Sequence, residues 1–376
     1  MKKYRKLIPI ILCAAFVTSA CTKAPTTEVT NPISDTEEKI YQSKLDVLRP
    51  MAYGNINKLN LEPGSYLSII GRGKGNSYWD EVKAGAEQAV DDLNEMLGYE
   101  GDDKIKLNYC APKRTDDVNE QINILDEELA RYPIAIGISA IDASACMTQF
   151  DSARESSIPI VMFDSGSEYK DVAATCSTDN TLAAITAANN LASAIDETGE
   201  VVIFVQDSTS TTAQSREQFF LKTIKKKYPN IEVSKIYHFD ELEQYKDKII
   251  GETKSEKEKI TQSDVINWIL EKHPNLKGIY TTNLDVTQEV AQTVKALNRT
   301  NLKIVGFDGG KEQLALLEEG TLEGLIVQNP FGMGYATVVA MARASLNMGN
   351  EAFIDSGYTW VTTATLEQDS IQKMMY

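Results

Sequence analysis

The feature that most constrains this chain of 376 residues is an alternation of short apolar runs with longer amphipathic stretches, carried through twice in succession. Residues 67–70 run through a glycine-rich turn into a stretch that carries Trp79, Val82, Ala86, Ala89, Val90, Leu93 and Leu97 at helical spacing. The pairing returns at 105–109 with 118–129 and at 134–138 with 143–153, and a further run at 158–163 follows. After a return segment near 172–176 it resumes: 201–205 with 212–227, 231–237 with 265–272, 278–281 with 286–297, 304–307 with 311–319, and 324–327 with 333–348. Short runs that are apolar throughout read as strands buried on both faces, and strand-helix alternation with brief connections builds parallel sheets covered by helices. The expected fold is therefore α/β, with two doubly wound parallel-sheet lobes. About 310 residues are available for it, more than one hydrophobic core usually organises.

The first residues do not belong to that pattern. Lys2, Lys3, Arg5 and Lys6 precede an apolar stretch at 7–17, the layout of an export signal over 1–20. It ends in Val17-Thr18-Ser19-Ala20-Cys21, which resembles a bacterial lipobox and marks Cys21 for acylation. Residues 21–64, rich in Thr, Pro, Asn, Ser and acids, read as a lipid-anchored tether, with the fold beginning at Tyr66. No later run approaches the roughly 20 apolar residues of a membrane helix, so the expected location is extracytoplasmic, held to the membrane by lipid alone. Loss of the signal takes the net charge from -16 to -20, an acidic surface that repels nucleic acid. Cys110, Cys146 and Cys176 remain as an odd set without metal-ligand spacing, and their pairing is left open. The charged stretch 241–260 reads as a solvated surface excursion.

Catalytic and cofactor motifs fail on inspection. The turn Gly71-Arg72-Gly73-Lys74-Gly75-Asn76-Ser77 lacks the third glycine of a dinucleotide fingerprint, and Lys74 is followed by Gly75 rather than the Ser or Thr of a phosphate loop. Neither His238 nor His273 lies near a Ser or Cys in a nucleophile-elbow context. The expectation is a chain with no catalytic residues, no cofactor and no metal site.

In doubly wound sheets ligands sit beyond the carboxyl ends of the strands. Those positions hold Asn76, Tyr78 and Trp79, then Asp164, Arg216, Asn283, Asp308 and Gln328. Carboxylates, amides and a guanidinium form planar, bidentate partners for vicinal hydroxyls, and an aromatic ring packs on the C–H face of a sugar.

With these residues in order, the chain resembles the type 1 periplasmic binding proteins, and within them the ribose- and galactose-binding group. The resemblance runs over 66–361. It rests on Gly75-Asn76-Ser77-Tyr78-Trp79 with Val82-Lys83-Ala84-Gly85-Ala86, on Ile158-Pro159-Ile160-Val161 ending in Phe163-Asp164, and on Thr178-Asp179-Asn180. Ile304-Val305-Gly306-Phe307-Asp308-Gly309 and Ile326-Val327-Gln328 complete it. It implies that Asn76, Tyr78, Trp79 and Asp164 face a small sugar or polyol from one lobe. Arg216, Asn283, Asp308 and Gln328 would face it from the other, with Phe239 as a further aromatic. One departure stands out: ribose binders carry an Arg after the strand-four Asp, where this chain has Ser165.

The resemblance also implies three chain crossings, near Thr178 and Asp179, at Gln328 and Asn329, and at 359–361 with Trp360. The N-terminal lobe would then comprise 65–178 plus 329–359, and the C-terminal lobe 179–328 plus 360–376. Hinge closure over the ligand would present a shape to an ABC permease, or alternatively to a membrane sensor kinase or chemoreceptor. A glycosidase-like enzyme would have to use Asp164 and Asp308 as its two carboxyls. Which sugar is bound stays open.

Overall fold

The computed structural model describes residues 39–250, 252 and 259–376. The signal 1–20, Cys21, the tether up to residue 38 and part of the charged stretch 241–260 lie outside the described residues.

Two six-stranded sheets form the frame. The first-lobe chain runs α1 (Gln42–Asp46), β1 (Tyr66–Ile70), α2 (Ser77–Leu97), β2 (Lys106–Cys110), α3 (Val118–Leu129), β3 (Ala135–Ile138), α4 (Met147–Glu155), β4 (Ile160–Phe163) and β5 (Ala174–Ser177). The second lobe takes α5 (Asn180–Ala194), β6 (Gly199–Val205), α6 (Thr211–Lys227), β7 (Ile231–His238), α7 (Leu242–Ile249), α8 (Gln262–Lys272), β8 (Leu276–Thr281), α9 (Leu284–Ala296), β9 (Lys303–Phe307), α10 (Lys311–Glu318) and β10 (Gly324–Gln328). The chain returns to the first lobe for α11 (Pro330–Ser345) and β11 (Phe353–Asp355), then ends in the second with β12 (Tyr358–Val361) and α12 (Asp369–Gln372).

The strand orders are β11-β5-β4-β3-β1-β2 and β12-β10-β9-β8-β6-β7. All pairings are parallel except β12 on β10. The order reverses beside β1 in one sheet and beside β6 in the other. Both reversals open a crevice at the strand ends, where such folds hold ligands.

Helix α11 lies against α2 in close backbone contact at two points. A Cβ on Gly85 would sit 1.9 Å from the Phe331 carbonyl oxygen, and one on Gly334 1.9 Å from that of Val82. These two glycines let the helices touch backbone to backbone, which ties the helix behind the second crossing to the helix that carries Asn76, Tyr78 and Trp79.

Three expectations are corrected by the packing. Residues 40–61 are not a free tether: Leu45, Leu48, Tyr53, Leu59 and Leu61 are buried in the first-lobe core. The Tyr53 hydroxyl accepts the Glu351 N–H at 2.6 Å, the Asn329 side-chain amide donates to the Lys44 carbonyl at 2.7 Å, and Arg49 exchanges backbone bonds with Asp355. Leu45 and Leu48 belong to a short amphipathic stretch near 38–48, while Tyr53, Leu59 and Leu61 follow at irregular spacing that periodicity does not reveal. Within 241–260, helix α7 buries Tyr245 and Ile249, and Ile260 joins the same core, an apolar face four residues apart that the surrounding charge conceals.

The third crossing falls at Ser356 and Gly357 rather than at Trp360. Trp360 sits within β12 opposite Ile326, its ring lying over Gly324 where any Cβ would clash, and Tyr358 and Thr359 belong to the second lobe.

Candidate functional site

The crevice between the lobes encloses a cavity of about 410 Å³, and Asn76, Tyr78, Trp79, Asp164, Arg216, Phe239, Asn283, Asp308 and Gln328 all line it. Each arrives by a local device. Asn76 caps α2, its side-chain oxygen accepting the Trp79 N–H at 3.1 Å, which seats Tyr78 and Trp79 in the first turn. Asn283 does the same for α9 through the Val286 N–H at 3.0 Å. Because each cap uses the amide oxygen, the NH₂ groups are left as donors, and that of Asn76 already donates to the Asp285 carboxylate of the second lobe. Phe239 follows β7 in a short 3₁₀ turn.

Asp164 and Asp308 occupy equivalent places, each just past a strand end and each with positive φ, 51° and 77°. A left-handed aspartate at the mouth of a sheet is strained backbone held by its surroundings, a pattern that concentrates at functional sites. Asp164 accepts from the Tyr78 hydroxyl at 2.8 Å and the Ser139 hydroxyl at 3.1 Å. Asp308 accepts on Oδ1 from the Gln328 amide at 2.7 Å and the Tyr376 hydroxyl at 3.0 Å.

Burial pushes the Asp308 carboxyl above its usual range, while the Arg216 charge and the bonds from Gln328 and Tyr376 pull the other way and nearby Asp164 adds to the rise. Burial, reinforced by these carboxylates, lifts the Tyr78 and Tyr376 phenols well above their usual range, so both act as donors.

Arg216 is almost wholly buried on α6. It donates to Asn180 at 2.7 Å, to the Thr282 carbonyl at 2.6 Å and to Gln328 at 2.9 Å, and lies 4.2 Å over the Phe307 ring. Three bonds fix the guanidinium plane and leave part of its five-donor fork for the cavity.

The hinge residues knit the crossings together. The Thr178 hydroxyl donates to Gln328 at 2.8 Å and shares a 3.4 Å bond with Ser356, and Asn329 donates to the Ser356 carbonyl at 2.9 Å. The Asp179 N–H donates to Asp355 at 3.2 Å.

Sequence reasoning passed over Arg72, which also lines the cavity. It donates to Asp207 of the second lobe at 2.8 Å and to Ser165 at 3.4 Å. Its position in the glycine-rich turn drew attention only as a failed phosphate loop. Tyr376 was missed as well, since no strand precedes it. Direct bonds between the lobes continue along this rim: Ser165 shares one with Thr212 at 2.8 Å, and the Gly166 N–H donates to Thr211 at 2.7 Å.

Among the described residues that line the cavity there is no histidine, cysteine or lysine. Cys110, Cys146 and Cys176 are free thiols, and burial pushes Cys110 and Cys176 up to about 12 and Cys146 to about 11. The arrangement offers carboxylate acceptors, amide and guanidinium donors and aromatic faces, the chemistry that matches a polyhydroxylated ligand.

Residues 67–350 match the model of a periplasmic binding protein domain. A xylitol-binding protein of Mycolicibacterium smegmatis is 24% identical over 57% of this chain, which in turn spans only 57% of that protein's length. A D-allose-binding periplasmic protein of Escherichia coli is 22% identical over 72% of this chain and 81% of its own. Among solved structures, a carbohydrate transporter solute-binding protein of Agrobacterium radiobacter, in complex with D-arabinose, superposes with a TM-score of 0.72. It is 28% identical, and the alignment covers 83% of this chain and 99% of that one.

Proposed function

The chain belongs to the periplasmic binding protein family, and from that premise we propose that it is an extracytoplasmic solute-binding lipoprotein that captures one small sugar between its lobes for delivery to an ABC permease. The observation that carries this reading is the convergence of nine polar and aromatic side chains from both lobes on one cavity of about 410 Å³. That size suits a single small ligand. Relatives whose names or complexes specify xylitol, D-allose and D-arabinose support a pentose, hexose or polyol as the class.

In this reading Trp79 and Tyr78 pack on the ring, and Asp164 and Asp308 accept from hydroxyls on opposite sides. Asn283, Asn76 and Arg216 donate to ligand oxygens, and Phe239 closes the far wall. Hinge motion at 178–179, 328–329 and 356–357 opens the cleft. Closure then shields the bonds from water and creates the surface a permease reads. Acylation at Cys21 would hold the protein at the membrane. Turnover is not part of the reading: the hydrogen bonds from Tyr78 and Ser139 to Asp164, and from Gln328 and Tyr376 to Asp308, hold both carboxyl groups as positioned acceptors for a bound ligand.

A thermal-shift panel of pentoses, hexoses, polyols, nucleosides and amino acids tests it, because a ligand bound only by the folded protein raises Tm. Stabilisation confined to one or a few sugars or polyols is expected, with the sugar recovered unchanged after long incubation. Stabilisation by nucleosides or amino acids alone, or by nothing in the panel, overturns the sugar reading.

A further inference from the structure

Each of the two cleft carboxylates carries a tyrosine. Tyr78 donates to Asp164 Oδ1 at 2.8 Å in the first lobe, and Tyr376 donates to Asp308 Oδ1 at 3.0 Å in the second. Across the cleft the two rings meet edge to face, centroids 6.1 Å apart and planes at 67°. Tyr376 does not come from a strand end. The segment after β12 folds back over the second lobe, anchored by Leu366 and Ile371, and brings Tyr376 against the cores of both lobes. The Gly309 N–H donates to the Tyr376 hydroxyl oxygen at 3.2 Å, which leaves the phenolic proton directed at Asp308.

We propose that Tyr376 is a positioning residue of the ligand site, which fixes the oxygen that Asp308 presents and so shapes the choice among sugar epimers. The proposal rests on the reading of the cleft as a sugar site. With Gln328 and Tyr376 both on Oδ1, the carboxylate cannot turn about its bond without breaking two hydrogen bonds, and Oδ2 is the oxygen left for a ligand hydroxyl. Loss of the phenol leaves Gln328 as the single donor of this pair, which frees the carboxylate to rotate and accept from differently placed hydroxyls.

The phenol also bears on the charge of Asp308. The other groups acting there are Arg216, which favours the ionised form, and Asp164, which opposes it; Tyr78 faces the same space from α2. Tyr376 and Gln328 add hydrogen bonds that favour ionisation against the effect of burial. Binding that needs the carboxylate is lost as pH falls through the Asp308 titration, so removing the phenol moves that acid limb to higher pH.

The experiment compares wild type with Tyr376→Phe, which keeps the ring packing. For the tightest sugar of the panel, calorimetry across pH should show affinity down about tenfold, the size of one lost charge-assisted bond. The acid limb should move upward, and discrimination against epimers should narrow. In an Asp308→Asn background the same substitution should leave the pH profile unmoved. A carboxyl-carbon NMR titration of Asp308 in the ligand-free protein reads the coupling without any sugar and should show titration at higher pH in the variant. Identical NMR curves, or unchanged affinity and epimer preference, overturn the proposal. Wild type binding no sugar while the NMR curves differ overturns the sugar site and the specificity role, and leaves the Tyr376–Asp308 coupling demonstrated.

Discussion

Arg72 of the first lobe and Asp207 of the second form an ion pair at 2.8 Å, with side chains only 11% and 13% exposed, that joins the two walls of the cavity away from the hinge. Burial pushes the Asp207 carboxyl upward, but the charge and hydrogen bond of Arg72, with bonds from Ser210, outweigh it and hold the group below the usual carboxylate range. The pair therefore favours closure whether or not a ligand is present. Arg72→Met should lower affinity for every ligand by a similar factor, about thirtyfold for roughly 2 kcal/mol, and enlarge the ligand-free protein in small-angle scattering. The pair's contribution is present above the ordinary Asp value and lost as pH falls through the lowered one, so it should be flat from pH 5 to 8 and, for a pair this buried, only weakly sensitive to added salt. Scattering curves identical to wild type would sink this account.

Backbone contact between α2 and α11 makes a second prediction. Gly85→Ala and Gly334→Ala each drive a methyl to within 1.9 Å of a carbonyl oxygen and should cost about 3 kcal/mol or more in urea unfolding. Gly166→Ala, whose nearest neighbour would be 3.6 Å away, should stay within about 0.5 kcal/mol. Equal effects in all three would contradict the close approach.

The segment before β1 can be tested by one pair of truncations. Leu48 is fully buried and Ile40 is 98% exposed. Leu48→Ala should destabilise by about 3 kcal/mol and Ile40→Ala by less than about 0.5 kcal/mol. A tether would show no difference between them.

His238, at the end of β7, lies 2.7 Å from Glu217. That hydrogen bond, with the charges of Glu217, Glu241 and Asp240 and against the effect of burial, raises the imidazole above its usual value. A raised value in the folded state gives stability that is fully present below the unfolded value, about 6.5, and fades as pH rises through the folded one. The stability gap between wild type and His238→Gln should therefore shrink between pH 6 and pH 8.5 in urea titrations. A gap that is constant or widens would refute it.

What the sequence disclosed follows from topology. A residue just past an apolar run in a doubly wound sheet must face the crevice, and this topology brings Asp164 from the first lobe and Asn283, Asp308 and Gln328 from the second to one cavity. Phe239 was found there too, although the charged stretch that follows it obscured the local pattern. Tyr376 and Arg72 escaped because neither the path of a returning tail nor the partner of a turn residue is written in local periodicity. The resemblance implied a crossing at Trp360, whereas that residue stands in the four-residue antiparallel strand β12, too short a pattern for periodicity to have placed it otherwise.

The division of the first lobe between distant parts of the chain sets an order of assembly. Its core includes Met333, Tyr335, Val338, Val339 and Met341 of α11, and its sheet is edged by β11, yet residues 180–328 of the other lobe lie between these pieces and β5. As the chain is synthesised, the second lobe's five parallel strands β6–β10 are all present while the first lobe still lacks α11. The lobe begun first thus waits for α11 and β11 until only the edge strand β12 and the tail of the second lobe remain to be made. Its sheet stays open on one face until residues near 345 emerge, a long-range and slow step during which chaperone cover would matter most.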